Sequence, residues 1–324
     1  MSAESEAGRS VVRAWRQFLE EHASRISELR YSLFLFRKNV LAVLGLVLII
    51  VVIALAFLAP YLSLQQPQYA NIGGDLQQRW TTHDSCFQAP FDCQIFLAPS
   101  LQHPFGTDNF GVDWYSKVLY GAGISLEVGI LVVVPVAIIG SLLGLLAGYK
   151  GGIVEEVIMR VTDIFLSIPS LILAIAITAV LGRSLVHVMY ALIITWWPWY
   201  TRLVRGQVLS VKERQFIESA RSVGASPGRL MLRHILPNSI SPVVVQASMD
   251  FGYVILTAAG LGFLGLGAPP GTAEWGVMIS EGITYLFSAP WMSIFPGLAI
   301  MLTVLGFNLL GDGLRDILDP RLRR

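Results

Sequence analysis

Long apolar stretches alternate with polar connections along the chain. A helix needs about 20 mostly apolar residues to cross about 30 Å of hydrocarbon, because in lipid its backbone groups must pair within the segment. Six stretches meet this requirement and predict six transmembrane helices, at about 40–58, 124–149, 157–181, 185–200, 240–266 and 291–310. The pattern therefore predicts an all-α integral membrane protein.

Lysine and arginine are distributed unevenly among the connections. Short connections rich in these residues stay on the cytoplasmic side of a membrane. Seven basic residues precede the first predicted span and seven lie between the fourth and the fifth, whereas 268–290 has none. We therefore expect a multi-pass protein of a prokaryotic cell membrane with both termini in the cytoplasm.

The predicted spans divide the chain into five parts. We expect a cytoplasmic tail, a first transmembrane helix, an external loop, a core of five transmembrane helices with the cytoplasmic loop 202–239, and a second cytoplasmic tail, at 1–38, 39–60, 61–123, 124–311 and 312–324. Apolar residues recur at helical spacing in the first tail and predict an amphipathic helix. Such a helix lies on the inner membrane surface or packs on its neighbours, and the sequence leaves both open.

Composition agrees with a membrane protein. The chain has 54% hydrophobic and 14% charged residues, whereas a soluble domain normally carries about 25% charged residues. A net charge of +1 argues against a nucleic-acid partner. The sequence contains neither a CxxC pair nor a His/Cys cluster, so it predicts no metal site. Cys86 and Cys93, both in the predicted external loop, either form a disulfide or stay free thiols.

The predicted cytoplasmic loop is longer than a simple connection requires, and long ordered loops are usually functional. Its middle carries apolar residues at helical spacing up to Gly224, which tolerates positive φ and is predicted to end a helix. Ser226 and Pro227 then predict a second helix, with serine as its cap and proline at its first position. We expect a helix, a corner and a helix that project from the membrane. The alternative is a solvated hairpin that only connects two spans.

The same loop carries a family resemblance. Glu218-Ser219-Ala220, followed by Gly224 and Leu236-Pro237, resembles the EAA loop of permease subunits in ATP-binding-cassette importers, with Ser219 in place of the usual alanine. Other segments resemble the oligopeptide/dipeptide permease family in matching order, among them HPFGTDNFGVDWYSKVLYGAGISL, LAGYKGG, RHILPN, FLGLG, FPGLAI and FNLLGDGLRDILDPRLR. The resemblance runs from about 101 to the C-terminus and extends to the first span.

The resemblance implies that the loop docks a short coupling helix into a cleft on a separate ATPase. The positions carried over for this contact are Glu218, Ala220, Gly224 and Ala225, and Arg221 is placed to pair with acidic groups of the partner. The small residues among them let two surfaces approach closely. Region 124–311 is then the permease core.

The resemblance also implies the partners. No phosphate-binding loop of the form GxxxxGK(S/T) occurs in the sequence, so ATP and Mg would be bound by partner subunits, with no cofactor in this chain. The implied partners are a second homologous permease, two cytoplasmic ATPase subunits and an extracytoplasmic solute-binding protein, all in a lipid bilayer. Family members import peptides, oligosaccharides or nickel chelates, and peptide is the substrate class we expect.

Two aspartates lie inside predicted spans, where a charge is costly unless it faces a partner or water. For Asp163 we favour a structural hydrogen-bonding role over a place in the substrate pathway, whereas Asp250 is the better candidate for the pathway. Gly140, Gly144 and Gly148 share one helix face, which favours close helix packing within this subunit over a subunit interface.

Two functions of other classes compete with the transport subunit. An intramembrane enzyme would want paired catalytic groups, but the sequence has neither HExxH nor GxSxG, and we expect no catalytic residue. An ion-coupled carrier would not need the long basic loop.

Overall fold

A computed structural model of the chain describes residues 34–72, 75–80 and 95–318. The predicted amphipathic tail up to residue 33, Cys86 and Cys93, and the last six residues lie outside this part. The helices are α1 Val40–Leu62, α2 Trp114–Lys150, α3 Gly152–Ser167, α4 Ser170–Leu181, α5 Leu185–Lys212, α6 Gln215–Ser222, α7 Pro227–Arg229, π1 Leu230–Ile235, α8 Leu236–Ser239, α9 Ser241–Phe263, α10 Trp275–Ile283 and α11 Trp291–Leu318.

A two-stranded hairpin lies in the connection between α1 and α2. Strand β1, Pro67–Ile72, pairs antiparallel with β2, Asp75–Trp80. These strands correct the all-α prediction for this connection, and the other elements named in the described part are helices.

Four helices of the described part, α1, α2, α9 and α11, are long and apolar enough to cross a membrane. Helices α3 and α4 together make a fifth candidate span, but they meet at an angle of 87°. The bend falls at Pro169, which has no N–H to continue the helix of the preceding turn. Helix α5 is 28 residues long, and its second half mixes apolar residues with the charged Arg202, Arg205 and Lys212. The structure therefore supports an integral membrane protein with four or five candidate spans.

Helices α2 and α5 touch along a row of glycines. A Cβ added at Gly144 would lie 2.5 Å from the Thr201 carbonyl oxygen, and one at Gly148 would lie 2.8 Å from the Val208 Cβ. One at Gly140 would overlap the chain near Tyr200. The two backbones are close because these positions lack side chains. The prediction that the three glycines serve packing within this subunit is confirmed.

Two apolar clusters form the core of the described part. One lies mainly between α2, α5 and α9 and includes Ile217 of α6 and Ile235 of π1. The other joins α1, α2, α9, α10 and α11 around the buried side chains of Trp114, Trp275 and Met292.

Helix α2 begins ten residues before the apolar stretch from which its span was predicted. The Asp113 carboxylate accepts hydrogen bonds from the Ser116 N–H, at 2.8 Å, and from the Ser116 hydroxyl, at 2.6 Å. This cap starts the helix at Trp114, in a polar region. The start of α2 is thus set by this cap and not by the edge of the apolar stretch.

A six-residue π-helix, π1, follows the short helix α7. In an α-helix the carbonyl of Arg233 would accept from residue 237, but Pro237 has no N–H. The backbone N–H of Leu236 instead reaches back five residues to the carbonyl of Met231. This wider turn leaves both Leu230 and Ile235 buried.

Candidate functional site

The corner of the long loop is built from local backbone geometry. Gly224 adopts φ of +83°, where a residue with a side chain is strained. The Gly224 N–H donates to the Arg221 carbonyl, at 3.0 Å, and the Ala225 N–H donates to the Ala220 carbonyl, at 3.1 Å. These bonds close the C-terminus of α6 and reverse the chain.

The second helix of the loop starts at Pro227, as predicted. Ser226 occupies the N-cap position, as predicted, but its side chain makes no capping hydrogen bond. Its carbonyl accepts the first hydrogen bond of the helix, from the Leu230 N–H at 2.9 Å.

One buried side chain attaches α6 to the rest of the molecule. Ile217 is fully buried and belongs to the core cluster around α5, whereas no other residue of α6 is buried. Val223, beside the corner, is 85% exposed, and an added Cβ at Gly224 would meet no atom within 4 Å. The corner is therefore exposed and leaves space for a contact.

The five residues predicted to contact an ATPase lie together in this corner. Glu218, Arg221 and Gly224 are exposed, and Ala220 and Ala225 are half-buried. In the part of the chain that the structure describes, no ion pair involves Glu218 or Arg221. Their charges are available to a partner, while their role in coupling stays a prediction.

Asp163 has a partner within the chain. Its carboxylate accepts from Nη2 of Arg202, a residue of α5, at 2.5 Å. Next to this pair, Arg205 contacts Glu155 in the same way between α5 and α3. Sequence reasoning missed both pairings, although opposite charges near the ends of neighbouring predicted spans gave a signal for them.

Asp250 lies in a cavity of about 380 Å³ between α4, α5, α9 and α11. The cavity is lined by Ser170, Trp196, Trp199, Gln246, Met249, Asp250, Tyr253 and Asn308. Gln246 donates its side-chain amide to Oδ1 of Asp250, at 2.9 Å. The buried hydroxyl of Tyr200 lies near the same carboxylate without the geometry of a hydrogen bond.

The polar neighbours of Asp250 were not found in the sequence. Gln246 lies one helical turn before it and could have been identified from that spacing. Tyr200 and Asn308 come from other helices, and no local pattern points to them. No group of three or more potential metal-ligating side chains occurs in the described ranges.

Comparisons with known proteins identify the family. Residues 140–324 match the family of binding-protein-dependent transport system inner membrane components. Residues 27–90 match the N-terminal transmembrane domain of oligopeptide transport permease C.

Individual relatives match this chain over nearly its whole length. The chain is 43% identical to the dipeptide transport system permease protein DppC of Alkalihalophilus pseudofirmus, over 94% of this chain and 93% of that protein. It is 40% identical to the glutathione transport system permease protein GsiD of Pectobacterium atrosepticum, over 95% of this chain and 90% of that protein. A solved structure of the inward-facing MetNI methionine ABC transporter covers 63% of this chain and 97% of its own, with a TM-score of 0.49 and 22% identity. The chain belongs to the family of binding-protein-dependent transport system inner membrane components, and it is the permease subunit of an ATP-binding-cassette importer and not an enzyme.

Proposed function

We propose that this permease receives the movement of separate ATPase subunits at the corner formed by Glu218, Ala220, Arg221, Gly224 and Ala225. The observation that carries the proposal is the exposure of this corner together with its single buried anchor, Ile217. A force applied to α6 reaches the helix core through that side chain and through the chain connections to α5 and α9.

The proposed assembly has four subunits in the membrane and cytoplasm, and a fifth outside. The chain pairs with a second homologous permease to form the translocation pathway, and two ATPase subunits bind ATP and Mg on the cytoplasmic side. An extracytoplasmic solute-binding protein delivers the solute. Family membership supports this arrangement, because the family is defined by binding-protein-dependent transport.

The proposed topology has six crossings, with both termini and the loop 202–239 in the cytoplasm and the loop 61–123 outside. The basic residues of that cytoplasmic loop support this orientation. Single-cysteine variants test it, after replacement of Cys86 and Cys93. A thiol reagent that does not cross membranes should label Ser288→Cys in intact cells, but Ser222→Cys only in inverted vesicles. The reverse pattern would contradict the topology.

We propose a peptide as the solute. The relatives whose names state a substrate transport dipeptides and glutathione, and all of these contain peptide bonds. Within the pathway, Asp250 is the proposed lining residue, whereas the ion pair with Arg202 supports a structural role for Asp163. Retention assays with the cognate binding protein test the substrate class. Retention of oligosaccharides or nickel chelates, and not peptides, would reject it.

Substitution of Gly224 tests the coupling role. Aspartate and asparagine tolerate positive φ better than most residues, and space around Gly224 is open. Gly224→Asp should therefore insert and fold normally but abolish ATP-driven uptake, because charge and bulk fall on the ATPase contact. Gly224→Asn adds a side chain of nearly the same size without the charge, so a comparison of the two variants separates the effect of bulk from that of charge.

Gly265 offers a matched control for this experiment. It also has positive φ, at +76°, and open space around its Cβ position, but it lies in the connection after α9. Gly265→Asp should leave uptake intact. Normal uptake by Gly224→Asp, at normal abundance, would remove the corner from the mechanism.

A further inference from the structure

The Asp250 carboxylate has no counter-ion in the chain as described. Gln246 donates one hydrogen bond to Oδ1, and no ion pair involves Asp250 among residues 34–72, 75–80 and 95–318. A carboxylate within a membrane helix is costly unless a partner compensates it, and such residues mark solute or ion pathways. The Tyr200 hydroxyl beside it is neutral, so within the described residues no positive charge offsets that of the carboxylate, and a ligand could supply one.

The walls of the cavity indicate what kind of group that is. Trp196 and Tyr253 pack with their ring centroids 5.7 Å apart, and Trp199 is largely exposed beside them. Aromatic faces attract cations through their ring quadrupole. The three rings therefore favour a positively charged group at the carboxylate.

Amide oxygens add acceptors to the same cavity. The side-chain amide of Gln246 donates one N–H to Asp250, and that of Asn308 donates one to the Val304 carbonyl at 3.0 Å. Each amide keeps a second N–H, while its side-chain oxygen accepts no hydrogen bond within the described residues and is open to a donor. No lysine, arginine or histidine is among the described residues that line the cavity.

This combination of acceptors and aromatic faces fits a primary ammonium group. An ammonium has three donors and no acceptor, so one carboxylate and two amide oxygens satisfy it. A carboxylate or phosphate would find no cation here. A divalent metal ion would need more charged ligands than the single carboxylate supplies.

We propose that this cavity binds the ammonium group of the transported solute. The inference rests on the proposed function, since it assumes that Asp250 faces the pathway, and it narrows the solute class to amines such as peptides with a free amino terminus. The volume of about 380 Å³ falls within the range of small-ligand sites, about 300–1,000 Å³.

Binding of two peptide probes with an amidated, uncharged C-terminus tests the inference in the assembled transporter. The complex of both permeases and the ATPases is placed in nanodiscs without the binding protein, so that selection by that protein does not enter. Alanyl-alanine amide carries only the ammonium charge, and N-acetyl-alanyl-alanine amide is the same backbone without it. The wild-type complex should bind the amine at least about tenfold more tightly, as expected for a charge-assisted hydrogen bond.

Variants locate that preference at Asp250. Asp250→Asn should lose the preference for the amine, and Asp250→Glu should retain it. Asp312→Asn removes an exposed carboxylate elsewhere in the membrane subunit and should bind both probes as the wild type does. Equal binding of the two probes by the wild type overturns the inference even if Asp250→Asn does not assemble. Such a result is expected if a basic side chain of the second permease compensates Asp250.

Failure of this inference is distinguishable from failure of the proposed function. If the corner does not couple to an ATPase, Gly224→Asp transports normally whatever the probes show. If only the ammonium site is wrong, Gly224→Asp still abolishes uptake while the acetylated probe binds as well as the amine.

Discussion

Arg205 donates from both Nε and Nη2 to one oxygen of Glu155, at 2.7 and 2.5 Å, and so joins α5 to α3 across 50 residues of sequence. The pair lies on the half of α5 that leads to the corner. Both side chains are partly exposed, 32% for Arg205 and 22% for Glu155. Solvent therefore screens the attraction. The pair contributes more to the placement of α5 beside α3 than to the free energy of unfolding.

Removal of this pair should have a small effect on stability. We expect Glu155→Gln to lower the free energy of unfolding by about 1 kcal/mol or less, because a partly exposed ion pair contributes little. A double-mutant cycle with Arg205→Gln measures the coupling between the two side chains. Glu156→Gln is the control, since Glu156 and its partner Arg160 are both mostly exposed, and it should change nothing measurable. A coupling energy well above about 1 kcal/mol would contradict the expected screening by solvent.

Contact between α2 and α5 should tolerate no side chain at Gly144. A methyl group there would meet the Thr201 carbonyl oxygen and the Arg205 backbone nitrogen, and backbone atoms cannot move aside as a flexible side chain can. Gly144→Ala should therefore cost about 1–3 kcal/mol and lower the melting temperature in detergent.

Gly206 provides the opposite case on the same helix pair. It is helical, and an added Cβ would meet no atom within 4 Å. Gly206→Ala should raise stability by about 0.5–1 kcal/mol, because alanine loses less backbone entropy on folding. Equal melting temperatures for the two alanine variants would contradict the packing of α2 on α5.

Lys117 should be required for folding of the polar end of α2. Its side chain is 4% exposed and its Nζ lies 3.4 Å from Asp108 and 3.7 Å from Glu281. Lys117→Met keeps the length but leaves buried carboxylate uncompensated, which should cost about 3–5 kcal/mol. Adding Asp108→Asn should recover part of this loss in thermal unfolding. A double variant less stable than Lys117→Met would reject the pair.

The carboxyl group of Glu274 should make the free energy of unfolding fall as the pH rises. Burial raises the pKa of this carboxyl above its ordinary value of 4.5, and the backbone N–H groups of Gly276 and Val277 offset only part of the rise. The folded state therefore holds the proton more tightly than the unfolded state. The resulting stability is present below pH 4.5 and is lost as the pH rises through the folded pKa.

A comparison with Glu274→Gln isolates this contribution. The melting temperature of the wild type, relative to the variant, should decrease as the pH rises from about 4.5 to neutrality. An increase would show that the two N–H donors outweigh burial and that the carboxylate is the favoured folded form.

Local signals predicted most of the helices and the corner. Apolar runs located α1, α9 and α11, and Gly224 and Pro227 located the turn, because chain conformation at these residues depends on their own chemistry. Helix α5 shows the limit. Its apolar half was visible, but the helix continues to Lys212, where Val204, Val208 and Val211 bury one face and the charged residues hide that pattern.

Contacts between distant residues could not be predicted from one sequence. The pairing of Asp163 with Arg202 and the approach of Tyr200 to Asp250 depend on how α5 packs against α3 and α9. A charge in a predicted span indicates that a partner is needed, but it does not identify the partner. The family resemblance was available because it depends on ordered motifs, which need no three-dimensional contacts.

The wide turn of π1 fixes the direction in which the corner points. Leu230 and Ile235 are five residues apart, and in an α-helix their side chains would diverge by about 140°. Both are buried here because the backbone closes over five residues. A return to α-helical spacing would expose one of them to solvent. The angle between the corner and α9 is therefore held by the burial of these two side chains, and a transport cycle that changes that angle must also repack them.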